Sequence, residues 1–496
     1  MKRIVLLLTA LLLPAGAAAA QSLAFTDVTV IDVEEGTAEP GQTVVVSGDR
    51  ISAVGETGTV EVPSDATVID ASGEYLIPGL WDMHAHTFSV PIARDIFFPL
   101  FIANGVTGIR TMKTDCFASE QPDCFDEGFD EGFADPLPSI YDVKRWREEM
   151  EAGTLVGPRV VAGSAMLDGT EPGKPSTVDA STPFRPATAE HAREHARILQ
   201  ERGVDFAKIY NFIPREAYFA FTDEANRLGL QFAGHVPEGV KASEASEVGQ
   251  RSIEHAAFTN VAEECSARED EIRRRLRAEL ESDEPQIVPI WLDMVESHDP
   301  AKCAEVYETL VRNGTWVTPT LVAAEVLPGE IDFDWREDPR LRYLPREGRE
   351  LWGDMEEDFD RQWGEHEHTL AQFEREVTLA QHRAGVPLLA GSDAGTTGVF
   401  PGFGLHGELE VLVAIGLTEA EALRTATLEP ARYLAAVDTQ GTVEVGRVAD
   451  LVLLEASPLE DISNTQRIRA VVADGRYFDR EALDELLKGV ELAAQD

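Results

Sequence analysis

The chain has 496 residues, 43% of them hydrophobic, which is enough apolar material for a sizeable core and sets disorder aside. Its 89 acidic residues outnumber 43 basic ones, giving a formal charge of −46; such a surface repels phosphate backbones and disfavours nucleic-acid partners. The cations are 35 Arg and only 8 Lys, and an acidic, Lys-poor surface suits a halophilic setting, where salt at 1 M shortens screening to about 3 Å.

Residues 1–20 read as a signal peptide, with Lys2 and Arg3 ahead of a short apolar core and a run of Ala before Gln21. That core is shorter than the roughly 20 apolar residues a spanning helix needs. The expectation is a periplasmic or secreted protein with no membrane contact in its mature form. From 21 to 78 the pattern alternates apolar and polar between turn signals ("VTVIDV", "QTVVVSGDRISAVG", "ATVIDASG"), which predicts short strands and hairpins. The same texture returns over 437–480, and 481–496 reads as a helix or tail. Both ends together predict one small β-sandwich domain, formed from N- and C-terminal segments around an α/β middle.

The middle, 79–436, repeats strand then helix. Strands are predicted at 76–84, 106–112, 158–164, 205–210, 230–236, 252–256, 315–320 and 386–393. Helical patterns separate them, clearest in "TAEHAREHARILQERG" and "PREAYFAFTDEANRLG", each closed by Gly. Eight such units over this length predict a (β/α)8 TIM barrel. Insertions at 115–137, 165–187, 257–297 and 321–365 fall in βα loops, the side where barrel active sites sit.

The cysteines are Cys116, Cys124, Cys265 and Cys303. They allow three pairings, of which Cys116–Cys124 and Cys265–Cys303 are preferred as disulfides; no Cys-x-x-Cys pair points to a cysteine zinc cluster.

"YLIPGLWDMHAHTF" ends a buried strand in His84-Ala-His86. Residues i and i+2 of a strand share a side, so both imidazoles reach one spot and can ligate one cation. Lys208, His235, His255 and Asp393 sit at the ends of the fourth, fifth, sixth and eighth predicted strands. Each has an ordinary structural explanation alone. A Lys inside "DFAKIY" is the hardest to explain so, because a buried ammonium without a partner is costly.

"PGLWDMHAH", "DFAKIY", "GHVPEG", "SIEHA", "GSDAG" and "GRVADLVLLEASPL" together resemble the metal-dependent amidohydrolase superfamily, in its branch of imidazolonepropionase-related and prolidase-like enzymes. The resemblance spans the chain from 21 onward. It implies two divalent metal ions, Zn2+ or alternatively Mn2+ or Co2+. His84, His86 and Asp393 would hold one, and His235 and His255 the other. Lys208, carrying a carboxylate derived from CO2, would bridge them. It implies hydrolysis of a C–N amide bond by a hydroxide between the metals, with Asp393 passing the proton to the leaving nitrogen. The expected substrate is a small molecule: a dipeptide, of Xaa-Pro or carboxypeptidase type, or an N-acyl amino acid. A homo-oligomer is compatible with it.

Tyr210, on the same side of its strand as Lys208, can hydrogen-bond an oxyanion or a substrate carboxylate, or simply pack. His406 in "GLHGELE" is a further substrate-contact candidate. Arg110, Lys113, Arg185 and Arg215 are candidate partners for a substrate carboxylate, each with a salt bridge or a solvated position as the more ordinary alternative. "HAREH" at 191–195 matches a zinc-peptidase pattern, but surrounding arginines predict a solvated face. "HEH" at 366–368 is expected to face solvent. Glu238, three residues after His235, has the spacing of single-metal deaminases and cyclic amidohydrolases, the main alternative. A non-catalytic exported metal- or ligand-binding protein is the alternative outside the enzymes.

Overall fold

The computed structural model describes residues 22–114, 138–169, 186–258, 260–280, 286–326, 335–363 and 366–495. The expected signal peptide, Cys116, Cys124 and Arg185 lie outside the described residues. Among those described, no helix is long and apolar enough to cross a membrane.

The strands in chain order are β1 (Ser22–Asp32), β2 (Thr37–Ser47), β3 (Arg50–Glu56), β4 (Thr67–Asp70), β5 (Tyr75–Pro78), β6 (Leu80–Ala85), β7 (Val106–Thr111), β8 (Arg159–Ala162), β9 (Ala207–Ile209), β10 (Phe232–Gly234), β11 (Ser252–Glu254), β12 (Trp316–Thr318), β13 (Leu451–Leu454), β14 (Ile468–Ala473) and β15 (Arg476–Asp479). β1 to β5 join β13 to β15 in one eight-stranded mixed sheet. Alternating side chains such as Leu23, Phe25, Val44, Val46, Leu451 and Leu453 give this sheet its own buried core. The two chain ends meet where β5 pairs antiparallel with β13.

The strand expected over 76–84 is two strands, split at Gly79. Pro78 ends β5, and a Cβ on Gly79 would come within 2.0 Å of Thr107 Oγ1, so only glycine lets the chain cross there. β5 thus belongs to the terminal sheet, and β6 opens the second layer of the fold.

β6, β7 and β8 pair in parallel, and so do β9, β10, β11 and β12. Single parallel bridges link Gly163 to Phe206, Val317 to Leu388 and Ala85 to Ala394. The last two bring in the eighth predicted strand, which forms isolated bridges and no extended ladder. Parallel pairing therefore passes from β6 through β12 and segment 388–394 back to β6. Helices pack around it. Ala189–Arg202 and Arg215–Leu228 bury Ala192, Ala196, Leu199, Tyr218 and Phe221, and both end at a left-handed glycine, Gly203 and Gly229, as the two Gly-closed patterns predict.

A disulfide joins Cys265 to Cys303 across a separation of 38 residues. It ties helix Val261–Cys265, which follows the sixth inner strand, to helix Pro300–Asn313. A closed loop of that size constrains the unfolded chain by about 4 kcal/mol in the loop-entropy account. Replacing both cysteines by Ala should lower unfolding free energy by about 2–4 kcal/mol, read by denaturant titration.

Candidate active site

The site is built where the inner strands end. Asp82, on the same side of β6 as His84, is fully buried and accepts hydrogen bonds from Ser392 N and Oγ and from His84 N. It pins β6 to segment 388–394, and burial pushes its carboxyl up to about 6. Backbone bonds from Asp393 N to His84 O (2.8 Å) and from His86 N to Ala394 O (3.0 Å) complete that seam. Asp393 and His255 both adopt left-handed backbone, at φ 58° and 63°. Such conformations cost of order 1–3 kcal/mol in a non-glycine residue and gather at functional sites.

One cavity of about 110 Å3 is lined by His84, His86, Lys208, Tyr210, His235, His255 and Asp393. On its other side lie Thr87, Phe88, Lys113, Met166, Leu351, Gly395 and Thr396. All six side chains expected to hold metal thus open onto a single space. His84 Nε2 is 3.4 Å and His86 Nε2 3.0 Å from Asp393 Oδ1, and that oxygen is buried without a hydrogen-bond partner. The rings of His84 and His255, and of His255 and His235, have centroids 5.1 and 4.9 Å apart.

Three imidazoles are oriented from behind. His84 Nδ1 lies 3.0 Å from Glu254 Oε2, His235 Nδ1 2.6 Å from Asn211 Oδ1, and His255 Nδ1 2.7 Å from Thr320 Oγ1. With Nδ1 so engaged, each ring turns Nε2 to the cavity as a lone-pair donor, the arrangement metal-ligating histidines adopt. Burial lowers all three titrations, that of His84 to about 3, so the rings are neutral. Burial alone would raise Asp393, but His84, His86 and His255 more than reverse it and keep it a carboxylate. Lys208 is 1% exposed, and burial brings its amine down to about 8. Among the described residues its ammonium has no hydrogen-bond or ion-pair partner. Neutral imidazoles, an orphaned carboxylate oxygen and an unpartnered lysine fit divalent cations well. Without cations they would leave buried polar groups uncompensated.

Two expected substrate contacts prove structural. Arg110 is 0% exposed and spends its donors inside the protein: Nε on Met83 O, Nη1 on Ser252 Oγ and Tyr433 Oη, Nη2 on Glu254 and Thr318 Oγ1. It neutralises Glu254, which in turn holds His84. His406 is buried with both ring nitrogens engaged, Nδ1 with Thr465 Oγ1 at 2.9 Å and Nε2 with Asn104 O at 3.0 Å. It lines no part of the cavity. Arg215 pairs with Glu244 outside the cavity.

Glu238 is also absent from the cavity lining. Burial and the neighbouring Glu263 push its carboxyl up to about 8, opposed by Arg273. His195 of "HAREH" lies on the buried face of its helix, not a solvated one, and burial lowers it to about 4. His368 is exposed, as expected.

Glu254, Asp82, Asn211 and Thr320 were not singled out from sequence. Glu254 had a signal: "SIEHA" and "VTGIRTM" each place one charge in an apolar strand, and opposite charges so placed must find each other.

The family model for the amidohydrolase family matches residues 75–477. The chain belongs to the amidohydrolase family, whose members are hydrolases acting on carbon–nitrogen bonds and generally use divalent metal ions. A curated adenine deaminase of Rubrobacter xylanophilus is 38% identical over 87 residues, which is 18% of this chain and 14% of that protein. The chain thus spans a small part of the length of the curated relatives it matches. Among solved structures, a bottromycin amidohydrolase is 23% identical, with a TM-score of 0.70 over 96% of this chain and 91% of that one. A Xaa-Pro dipeptidase with methionine bound in its active site is 18% identical, with a TM-score of 0.64 over 92% of this chain and 100% of that one. These likenesses show a TIM-barrel-like α/β fold.

Replacing Glu254 by Gln would leave the Arg110 guanidinium buried without its counter-charge. Loss of one partner of a buried pair typically costs 3–5 kcal/mol, so the Glu254→Gln protein should unfold at distinctly lower denaturant concentration.

Proposed function

We propose that this chain is an exported binuclear metal amidohydrolase that cleaves the amide bond of a dipeptide or an N-acyl amino acid. One observation carries the reading: Lys208, buried and unpartnered, opens onto the same cavity as four histidines and Asp393. A lysine amine near 8 is partly neutral at physiological pH. It can then attack CO2, forming a carbamate and releasing a proton. The carbamate exchanges an ammonium that cannot ligate for two anionic oxygens that can.

His84, His86 and Asp393 would hold one divalent cation, and His235 and His255 a second, with carboxylated Lys208 between. Nitrogen and oxygen donors suit Zn2+, and equally admit Mn2+ or Co2+. Bound cations would supply Lewis acidity toward the scissile carbonyl and a water acidified toward neutral pH. Asp393, kept ionised, accepts a proton at its carboxylate and returns it to the leaving nitrogen. Tyr210, whose ring lies 4.5 Å from that of His235, offers its hydroxyl to the developing oxyanion or to a substrate carboxylate.

We read the ring of parallel pairing as a (β/α)8 barrel and the terminal sheet as a small β-sandwich around its own core. Residues 1–20 support export, and the acidic, Lys-poor composition supports a saline setting. The partial likeness to an adenine deaminase favours a second reading, a single-metal deaminase. The position of Glu238 beside Glu263, outside the cavity lining, counts against it, as does Lys208.

A screen of dipeptides and N-acyl amino acids against metal-loaded protein should find hydrolysis that chelation abolishes. Asp393→Asn should reduce kcat on the best substrate by about 10²–10⁴, the range general acid–base groups contribute. Undiminished turnover in that variant would remove Asp393 from proton transfer.

A further inference from the structure

Beside the cavity, one buried helix face carries polar groups where apolar ones are the rule. Helix Glu367–Arg383 leads into the eighth inner strand. Its Glu374, Thr378 and Gln381, at i, i+4 and i+7, are 7%, 0% and 0% exposed, whereas a helix stripe turned to the core is ordinarily apolar. Burying such groups is costly unless they are bonded. Thr378 Oγ1 donates to Glu374 O within the helix at 2.8 Å. The other two reach out to one short segment. Glu374 accepts from Ala257 N at 2.8 Å and Phe258 N at 3.3 Å, and Gln381 Nε2 donates to Ala256 O at 3.0 Å. The Phe258 ring lies 5.8 Å from that of Phe373 on the same helix.

Segment 256–258 directly follows His255. That residue is in left-handed backbone at φ 63°, a conformation that a non-glycine residue keeps only where its surroundings enforce it. On one side the enforcement comes from β12 and the residues after it: His255 N donates to Thr318 O at 2.9 Å, and His255 Nδ1 lies 2.7 Å from Thr320 Oγ1. On the other side it comes from Glu374 and Gln381. Adjacent backbone N–H groups turned the same way form a nest for an anionic oxygen, and Glu374 fills this one from the helix. Without these bonds the backbone at His255 is free to relax to an ordinary conformation, which re-aims the imidazole.

We propose that Glu374 and Gln381 are positioning residues that act through His255, holding its imidazole preformed for a divalent cation. Both stand outside the cavity lining. This rests on the reading of His255 as a metal ligand.

The test is a double-mutant cycle, which shows whether one residue acts through another. Zn2+ affinity is measured by competition with a chromophoric chelator for metal-stripped wild type, Glu374→Gln, His255→Asn and the double variant. Bicarbonate is present at about pH 8, above the value of about 7 to which burial raises the Glu374 carboxyl. Glu374→Gln sets an amide N–H against one of the two backbone donors. It should weaken uptake of one Zn2+ by about 10–100-fold, the usual effect of altering a group that orients a metal ligand. In the His255→Asn background the same change should alter the remaining Zn2+ affinity by less than about twofold. Equal weakening in both backgrounds marks a merely structural role and would overturn the proposal, as would no weakening with His255 in place. If the wild type takes up one Zn2+ and not two, the binuclear reading fails by that count, and the same cycle on the single ion still decides for Glu374. Should Glu374→Gln not fold, Gln381→Met goes through the same cycle, with a loss of about tenfold expected only where His255 is present; no loss, or the same loss without His255, refutes the proposal.

Discussion

A lysine at the floor of a cavity, 1% exposed and without a partner among the described residues, is the constraint on which the rest of this structure turns. Burying an ammonium without a hydrogen-bond partner is among the costliest things a fold can do, and attraction to Glu254 and Asp393 offsets only part of that burial here. The surroundings compound the problem: four imidazoles and one carboxylate point at the same space, and burial keeps His84, His235 and His255 neutral. As apo chemistry this is a collection of unsatisfied groups. As a ligand set for cations it is complete in donor type, because neutral imidazole and ionised carboxylate are the ligating forms.

Holding that set requires a rigid frame, and the frame is itself charged. Arg110 and Glu254 form a buried pair 2.8 Å apart, surrounded by Ser252, Thr318 and Tyr433. Replacing such a pair by apolar residues can stabilise a fold, so stability is a poor account of why it is there. Its consequence is geometric: Glu254 fixes the ring of His84, and Arg110 ties β7 to β6, β11 and β12. Asp82 performs the corresponding task between β6 and Ser392. Three depths of the fold are thereby linked: an ion pair, the imidazole above it, and the cavity into which that imidazole opens.

The His84–His86 pair was legible in sequence because a strand's period of two settles which side a residue faces. Lys208 was legible because a charge in an apolar strand demands an explanation. Height along the strand was not legible. Arg110 faces inward but lies deep, bonded to Glu254 and Tyr433 and absent from the cavity lining. His406 was misread for a different reason: its partners, Asn104 and Thr465, are 302 and 59 residues away, and nothing local announces them. The break at Gly79 was hidden because β5 and β6 are both apolar and differ only in the sheet they join. The eighth inner strand was placed correctly yet survives only as bridges, since Asp393 leaves extended geometry to reach the cavity.

The central claim is that Lys208 joins two cations. It is tested most directly by metal analysis of protein loaded in bicarbonate and freed of excess ion, beside Lys208→Ala treated alike. About two equivalents per chain in the wild type, falling to about one or fewer in the variant, is the predicted result. About one equivalent in both proteins would contradict it.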